Sequence, residues 1–172
     1  MQLHEVSELI KFPFPISTPQ SWADLGSGEG LFTMALAAQL PSGSSILAID
    51  KRANILKKIP PQYDGVTIHT QKGDFFSTDL PDHLQGVLMA NALHYVKNKS
   101  HFLQGLIKHM GEGPQCLIVE YNTSSANPWV PYPINWQKVS LLTEELGAKE
   151  IHKLGEIPSL YQKSMYAALI RW

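Results

Sequence analysis

Short apolar runs of strand length alternate along this chain with stretches of helical period, and glycine or proline separates most of them. The first run, Trp22-Ala23-Asp24-Leu25, enters Gly26-Ser27-Gly28-Glu29-Gly30 and then a predicted helix with Leu31, Met34, Ala35 and Ala38 as its buried stripe. After a turn at Pro41-Ser42-Gly43, residues 45–50 read as a buried second strand, and residues 53–59 as a short helix stopped by Pro60-Pro61. Residues 66–69 and 86–90 read as the third and fourth strands. Residues 100–110 form a predicted helix with Phe102, Leu103, Leu106, Ile107 and Met110 on one face. Gly111 to Pro114 is expected to turn into a fifth strand, 116–120, followed by a loop over 122–134 that holds three prolines. A helix over 137–146 ends at Gly147, and residues 150–154 and 164–170 read as two strands, paired antiparallel. Ahead of the first strand, Pro13, Pro15 and Pro19 leave room for one or two turns of helix. This alternation implies an α/β fold, a mostly parallel sheet with helices on both faces.

Composition narrows the class. A chain of 172 residues supports one three-layer domain, 1–172, with 1–20 as a short N-terminal segment. The 14 Lys and Arg balance 15 Asp and Glu, and no basic run occurs, which argues against a surface built to neutralise nucleic-acid phosphates. The single cysteine, Cys116, lies in an apolar run and has no partner within the chain, which fits a reducing, cytoplasmic setting. No signal peptide or membrane-length apolar segment is present, so no membrane is expected. The histidines show no metal-ligand spacing, so no metal is expected, and neither a P-loop nor a Gly-x-Ser-x-Gly elbow occurs. The sequence is silent on oligomeric state.

The glycine turn carries the chemistry. A strand that turns on glycines into a helix opens a ligand crevice at the strand ends. Gly26 permits the sharp turn, Gly28 bares the backbone to a ligand, and Gly30 lets the helix pack close to the strand. A dinucleotide fingerprint needs glycine or alanine where Leu31 stands, which disfavours a nicotinamide cofactor.

The pattern Asp24-x-Gly26-x-Gly28-x-Gly30 instead resembles the first motif of class I S-adenosylmethionine-dependent methyltransferases. An acid at this strand end repels pyrophosphate but attracts an ammonium or a sulfonium. The resemblance covers residues 21 to 172. It implies a Rossmann-like three-layer sandwich with a seven-stranded sheet in the order 3-2-1-4-5-7-6, strand 7 antiparallel. Its cofactor is S-adenosylmethionine, with S-adenosylhomocysteine as product. Asp50, 24 residues beyond Gly26, stands where an acid accepts from the ribose hydroxyls, or alternatively caps the helix after it. Asp74 and Phe75 match the adenine site, or a turn ahead of a core aromatic. The cofactor set is therefore Asp24, Gly26, Ser27, Gly28, Gly30, Asp50, Lys51, Asp74, Phe75 and Asn91.

The fourth strand runs into Asn91-Ala92-Leu93-His94-Tyr95, which in small-molecule members of the family faces the methyl group. Imidazole titrates near neutrality, so His94 is the candidate general base; a purely structural role is the alternative. At the start of this strand the family commonly carries an acid, and Gln85-Gly86 stands there instead. Tyr95, Tyr121, Trp129 and Tyr132 are the candidate substrate residues, with Trp129 and Tyr132 either walling an acceptor pocket or packing on the following helix. Asn127-Pro128-Trp129 resembles the signature of adenine-N6 DNA methyltransferases. It follows the wrong strand and lacks the second proline, so the expected acceptor is a small molecule. The expected function is methyl transfer to that acceptor; the alternative is a protein that binds S-adenosylmethionine or S-adenosylhomocysteine without transferring a methyl group.

Overall fold

The computed structural model describes residues 1–159, 161 and 163–172. A two-turn helix, α1 (Leu3–Leu9), precedes strand β1 (Ser21–Leu25), the glycine turn and α2 (Leu31–Ala37). The chain continues through β2 (Ser45–Asp50), α3 (Ala53–Leu56), β3 (Gln62–Tyr63), β4 (Val66–Lys72) and β5 (Leu84–Ala90). A 3₁₀ turn at Leu93–Tyr95 and α4 (Lys99–His109) lead into the long β6 (Met110–Tyr121). Then follow α5 (Trp136–Glu145), β7 (Glu150–Pro158) and β8 (Ser164–Arg171).

The described strands form one sheet in the order β3-β4-β2-β1-β5-β6-β8-β7. β1, β2, β4, β5 and β6 pair in parallel, and β8 inserts antiparallel between β6 and β7. Without the two-residue edge strand β3, this is the expected seven-strand order with its antiparallel member. β3 is an addition to that expectation. It pairs antiparallel with β4 across Asp64-Gly65, whose φ angles of 47° and 80° suit a tight hairpin.

The sheet buries both faces. Along β1 successive side chains point to opposite sides. Trp22 joins Leu36 of α2 and Val6 and Leu9 of α1 in one core, and Ala23 and Leu25 join Leu103 of α4 and Val139 of α5 in the other. The Gln85-Gly86 departure has a packing cause. A Cβ on Gly86 would stand 2.5 Å from the Trp22 indole, and Gln85 Oε1 accepts the Ser21 backbone N–H at 2.7 Å. The start of β5 is shaped to house a tryptophan.

Three local expectations are corrected. The buried face of α2 is Phe32, Thr33, Ala35, Leu36 and Ala37, while Leu31 and Met34 are half-buried and Ala38 is exposed. The predicted helix to residue 59 ends at Leu56, because the chain tightens into i→i+3 hydrogen bonds (Lys58 N to Ile55 O, Ile59 N to Leu56 O) ahead of the prolines. Gly111 to Pro114 is no turn but part of β6, where a register shift opposite Leu84 and Gly86 absorbs it. No described helix is long and apolar enough to cross a membrane.

Candidate active site

Five parallel strands bring their C-terminal ends to one edge of the sheet, where an open α/β sheet places its ligands. The ends of β1, β2 and β5 enclose a cavity of about 660 Å³ lined by Gly26, Asp50, Lys51, Phe75, Phe76 and Asn91, among others. The glycine turn is held from below: Gly26 N and Ser27 N both donate to Ile49 O, at 2.9 and 3.0 Å. Asp50 Oδ2 accepts from Gly28 N at 3.0 Å and Oδ1 from Arg52 N at 2.9 Å. Its carboxylate thus ties the turn to β2, doing more than a cap would, and lone pairs remain on it. A Cβ on Gly28 would meet nothing within 4 Å, so its bare backbone faces open space. Gly30 takes φ 83°, and a Cβ there would stand 2.6 Å from Ile59, so the close packing it permits is against the segment after α3 and not against the strand.

Asp24 lies deeper. It is fully buried, accepts from Thr33 Oγ1 at 2.6 Å, and its other oxygen has no partner. Burial, helped by the nearby Asp50 charge and opposed by the Thr33 hydrogen bond, pushes its carboxyl up to about 7. The Ser27 hydroxyl and Asn91 Oδ1 are likewise buried and unpartnered. Asn91 also holds φ 52°, an uncommon conformation for a non-glycine residue, fixed by its N–H to Val119 O at 2.8 Å. Across the cavity Lys51 Nζ pairs with Asp74 Oδ2 at 2.9 Å and lies 5.9 Å from the Phe76 ring centroid. Phe75 and Phe76 pack together at 4.6 Å between centroids.

A second cavity, about 440 Å³, adjoins the first at the ends of β5 and β6, and Asn91 and Tyr95 line both. His94, Tyr121, Asn127, Trp129, Val130 and Tyr161 complete its described wall. His94 is 2 % exposed and bound to Glu120, itself 1 % exposed: Nδ1 lies 2.8 Å from Oε2, and the His94 backbone N–H donates to Oε1 at 3.0 Å.

A family model described as a methyltransferase domain matches residues 23–113, from the middle of β1 into β6. The chain belongs to this methyltransferase-domain family. Solved structures share the fold. A SAM-dependent methyltransferase from Aquifex aeolicus is 16 % identical over 99 % of this chain and 98 % of its own, with a TM-score of 0.65. A Burkholderia thailandensis 1,6-didemethyltoxoflavin-N1-methyltransferase, solved with its substrate and S-adenosylhomocysteine, is 14 % identical over 98 % and 77 %, with a TM-score of 0.71. A Nostoc punctiforme protein assigned as an O-methyltransferase is 15 % identical with a TM-score of 0.69; the present chain is covered to 99 % and spans 55 % of that longer protein. A search of curated proteins finds no significant match.

Within the methyltransferase domain, the sequence-predicted cofactor residues Gly26, Asp50, Lys51, Phe75 and Asn91 meet around the first cavity, and Gly28 is tied to it through Asp50. Asp24, Ser27, Gly30 and Asp74 stand outside its lining: Asp24 buried at the end of β1, Ser27 within the turn, Gly30 at the α2 N-cap, and Asp74 paired with Lys51. His94, Tyr95, Tyr121 and Trp129 line the second cavity. Tyr132 is not among its described lining residues. Its backbone N–H donates to His94 O at 3.0 Å, and its ring lies 5.8 Å from Lys99 Nζ. Neither Trp129 nor Tyr132 is buried under α5; they are 80 % and 40 % exposed. Sequence reasoning missed the His94–Glu120 pair. The available signal was a lone acid closing the apolar run Cys116–Val119, since a buried carboxylate needs a partner.

Proposed function

We infer that this methyltransferase domain moves a methyl group from S-adenosylmethionine to a small-molecule acceptor, with His94 as general base. One observation carries the reading: two cavities meet at Asn91 and Tyr95, one against the glycine turn and Asp50, the other against a buried histidine–carboxylate pair. Asn91, whose Oδ1 is unpartnered, lines both cavities, and a polar ligand there suits it.

When bound, S-adenosylmethionine supplies an electrophilic methyl group. The residues that would hold it are the Gly26–Gly28 backbone, the remaining lone pairs of Asp50, and Phe75 with Phe76 for a flat base. Glu120 accepts from His94 Nδ1–H, which leaves Nε2 with the lone pair to take a proton from the acceptor. The buried carboxylate then stabilises the imidazolium. Walls on both sides fix the acceptor, and positioning supplies most of the acceleration for a transfer of this kind. The second cavity supports transfer over cofactor binding alone, for which the first cavity would be enough.

The test is direct. Purified protein is titrated with S-adenosylhomocysteine and then incubated with methyl-labelled S-adenosylmethionine and a metabolite extract. Saturable binding and label in a small-molecule product are expected. Binding without label in any product would favour the non-catalytic alternative.

A further inference from the structure

We propose that the acceptor is an uncharged, planar aromatic molecule of one or two rings that carries a weakly acidic hydroxyl group; this rests on the methyl-transfer reading above. Three properties of the second cavity point there. Its wall presents the rings of Tyr95, Tyr121, Trp129 and Tyr161, and flat aromatic surfaces gain most from stacked and edge-on contact with another ring. Its volume of about 440 Å³ sits at the small end of ligand pockets, enough for one or two fused rings.

The third property is charge. No Lys, Arg, Asp or Glu stands among the described residues that line the cavity. Of the charged groups close behind it, Glu120 spends both oxygens on His94, and Lys99 Nζ donates to Val96 O at 2.8 Å and Tyr132 O at 2.7 Å. The lining offers no counter-ion to an acceptor carboxylate or ammonium, so a neutral molecule is preferred. Besides the tyrosine hydroxyls and the Asn127 amide, the wall carries His94, and Asn91, whose Oδ1 is unpartnered, lines both cavities. A hydroxyl placed there faces the first cavity with its proton beside the imidazole. During transfer the acceptor oxygen forms its bond to the methyl carbon as the carbon–sulfur bond breaks, the sulfur keeps that electron pair, and the hydroxyl proton passes to His94 Nε2. A base held on a buried carboxylate suits a hydroxyl that is mostly un-ionised at neutral pH; a soft or already ionised nucleophile would not need it.

Four probes built on one bicyclic carbon skeleton test the inference, with binding measured in the presence of S-adenosylhomocysteine and turnover followed with labelled S-adenosylmethionine. They are 2-naphthol, its saturated analogue decahydro-2-naphthol, 2-naphthoate and 2-naphthyltrimethylammonium. The expectation is that 2-naphthol binds tightest and becomes labelled, while the other three bind at least about tenfold more weakly. Trp129→Ala should weaken 2-naphthol binding about tenfold and leave S-adenosylhomocysteine affinity unchanged. Tightest binding by the ammonium probe would make the rings a cation cage, and equal binding by the saturated alcohol would remove the aromatic argument; either overturns the inference. So does failure of 2-naphthol to bind while S-adenosylhomocysteine binds normally. If S-adenosylhomocysteine itself does not bind, the methyl-transfer reading fails, and this inference with it.

Discussion

The glycine turn between β1 and α2 and the loop between β6 and α5 sit on the same sheet edge but lean on side chains to different degrees. The first is short and fixed by backbone: Gly26 and Ser27 donate to Ile49 O, Gly30 donates to Ser27 O, and one carboxylate, Asp50, clamps Gly28. The second spans residues 122–134 and adds side chains that reach the backbone to backbone pairs such as Asn127 with Val130 and Tyr132 N–H with His94 O. Asn127 Oδ1 accepts from Trp129 N and Val130 N, both at 2.9 Å, and Asn122 Oδ1 accepts from Trp136 N at 3.1 Å. Prolines in this loop further limit the entropy lost on ordering it. A backbone-built turn tolerates few sequences and makes one kind of cradle. A loop held partly by side chains can change its wall residues while its frame stays in place, and that suits the part of the site proposed to hold the acceptor.

This contrast predicts where substitutions act. The largest effect belongs to the acceptor side: His94→Gln should slow methyl transfer by about two to four orders of magnitude with unchanged S-adenosylhomocysteine affinity. Single-turnover rates beside a binding titration separate the two. A joint loss of rate, affinity and melting temperature would make His94 a structural residue and erase the division between the halves.

Next comes the cofactor side. Asp50→Ala removes the clamp on Gly28 and should weaken S-adenosylhomocysteine binding by about 1.5–3 kcal/mol. Affinity equal to wild type would reduce Asp50 to a link between the turn and Arg52. A smaller effect is expected where Lys99 ties the 122–134 loop to the segment after β5. Lys99 is half-buried, and burial lowers its ammonium pKa while Glu120 supports the charge. Lys99→Met keeps the aliphatic stem but drops the bonds to Val96 O and Tyr132 O, costing about 1–2 kcal/mol. Limited proteolysis should then cut first within residues 122–134, leaving the glycine turn protected.

A separate effect, on stability alone, is a pH dependence beneath the glycine turn. Folded Asp24 holds its proton to about 7, against an ordinary value of 3.8. Between those values the folded chain binds more protons than the unfolded one, so this group lowers stability as pH rises through the window. Asp24→Asn can still accept from Thr33. It should melt about 10 °C above wild type at pH 8 and level with it near pH 4. Equal melting curves at both values would show that the carboxyl is not perturbed.

Much of the cofactor half was legible because its determinants are local. β2 reads from sequence with its observed bounds, 45–50, and the β1 turn reads from its glycines. Where the reading slipped, competing signals had similar strength. Ala35 and its alanine and leucine neighbours allow more than one helical phase, and packing against α1 chose the Phe32 and Leu36 face. Gly111 to Pro114 has turn composition, yet pairing beside β5 drew it into β6. Asp64-Gly65 was a readable hairpin signal that went unused. The acceptor half was less legible because its key contact joins residues 26 positions apart: nothing near His94 or Glu120 in sequence announces that one holds the other.

The central claim is that the edge holding Asp50 and the glycine turn binds S-adenosylmethionine and its product. Isothermal titration of the purified protein with S-adenosylhomocysteine, with NAD in a parallel cell, tests it most directly. Saturable heat at one site for S-adenosylhomocysteine, weakened in Asp50→Ala, and none for NAD is the predicted result. Binding of NAD with no S-adenosylhomocysteine signal would contradict the account.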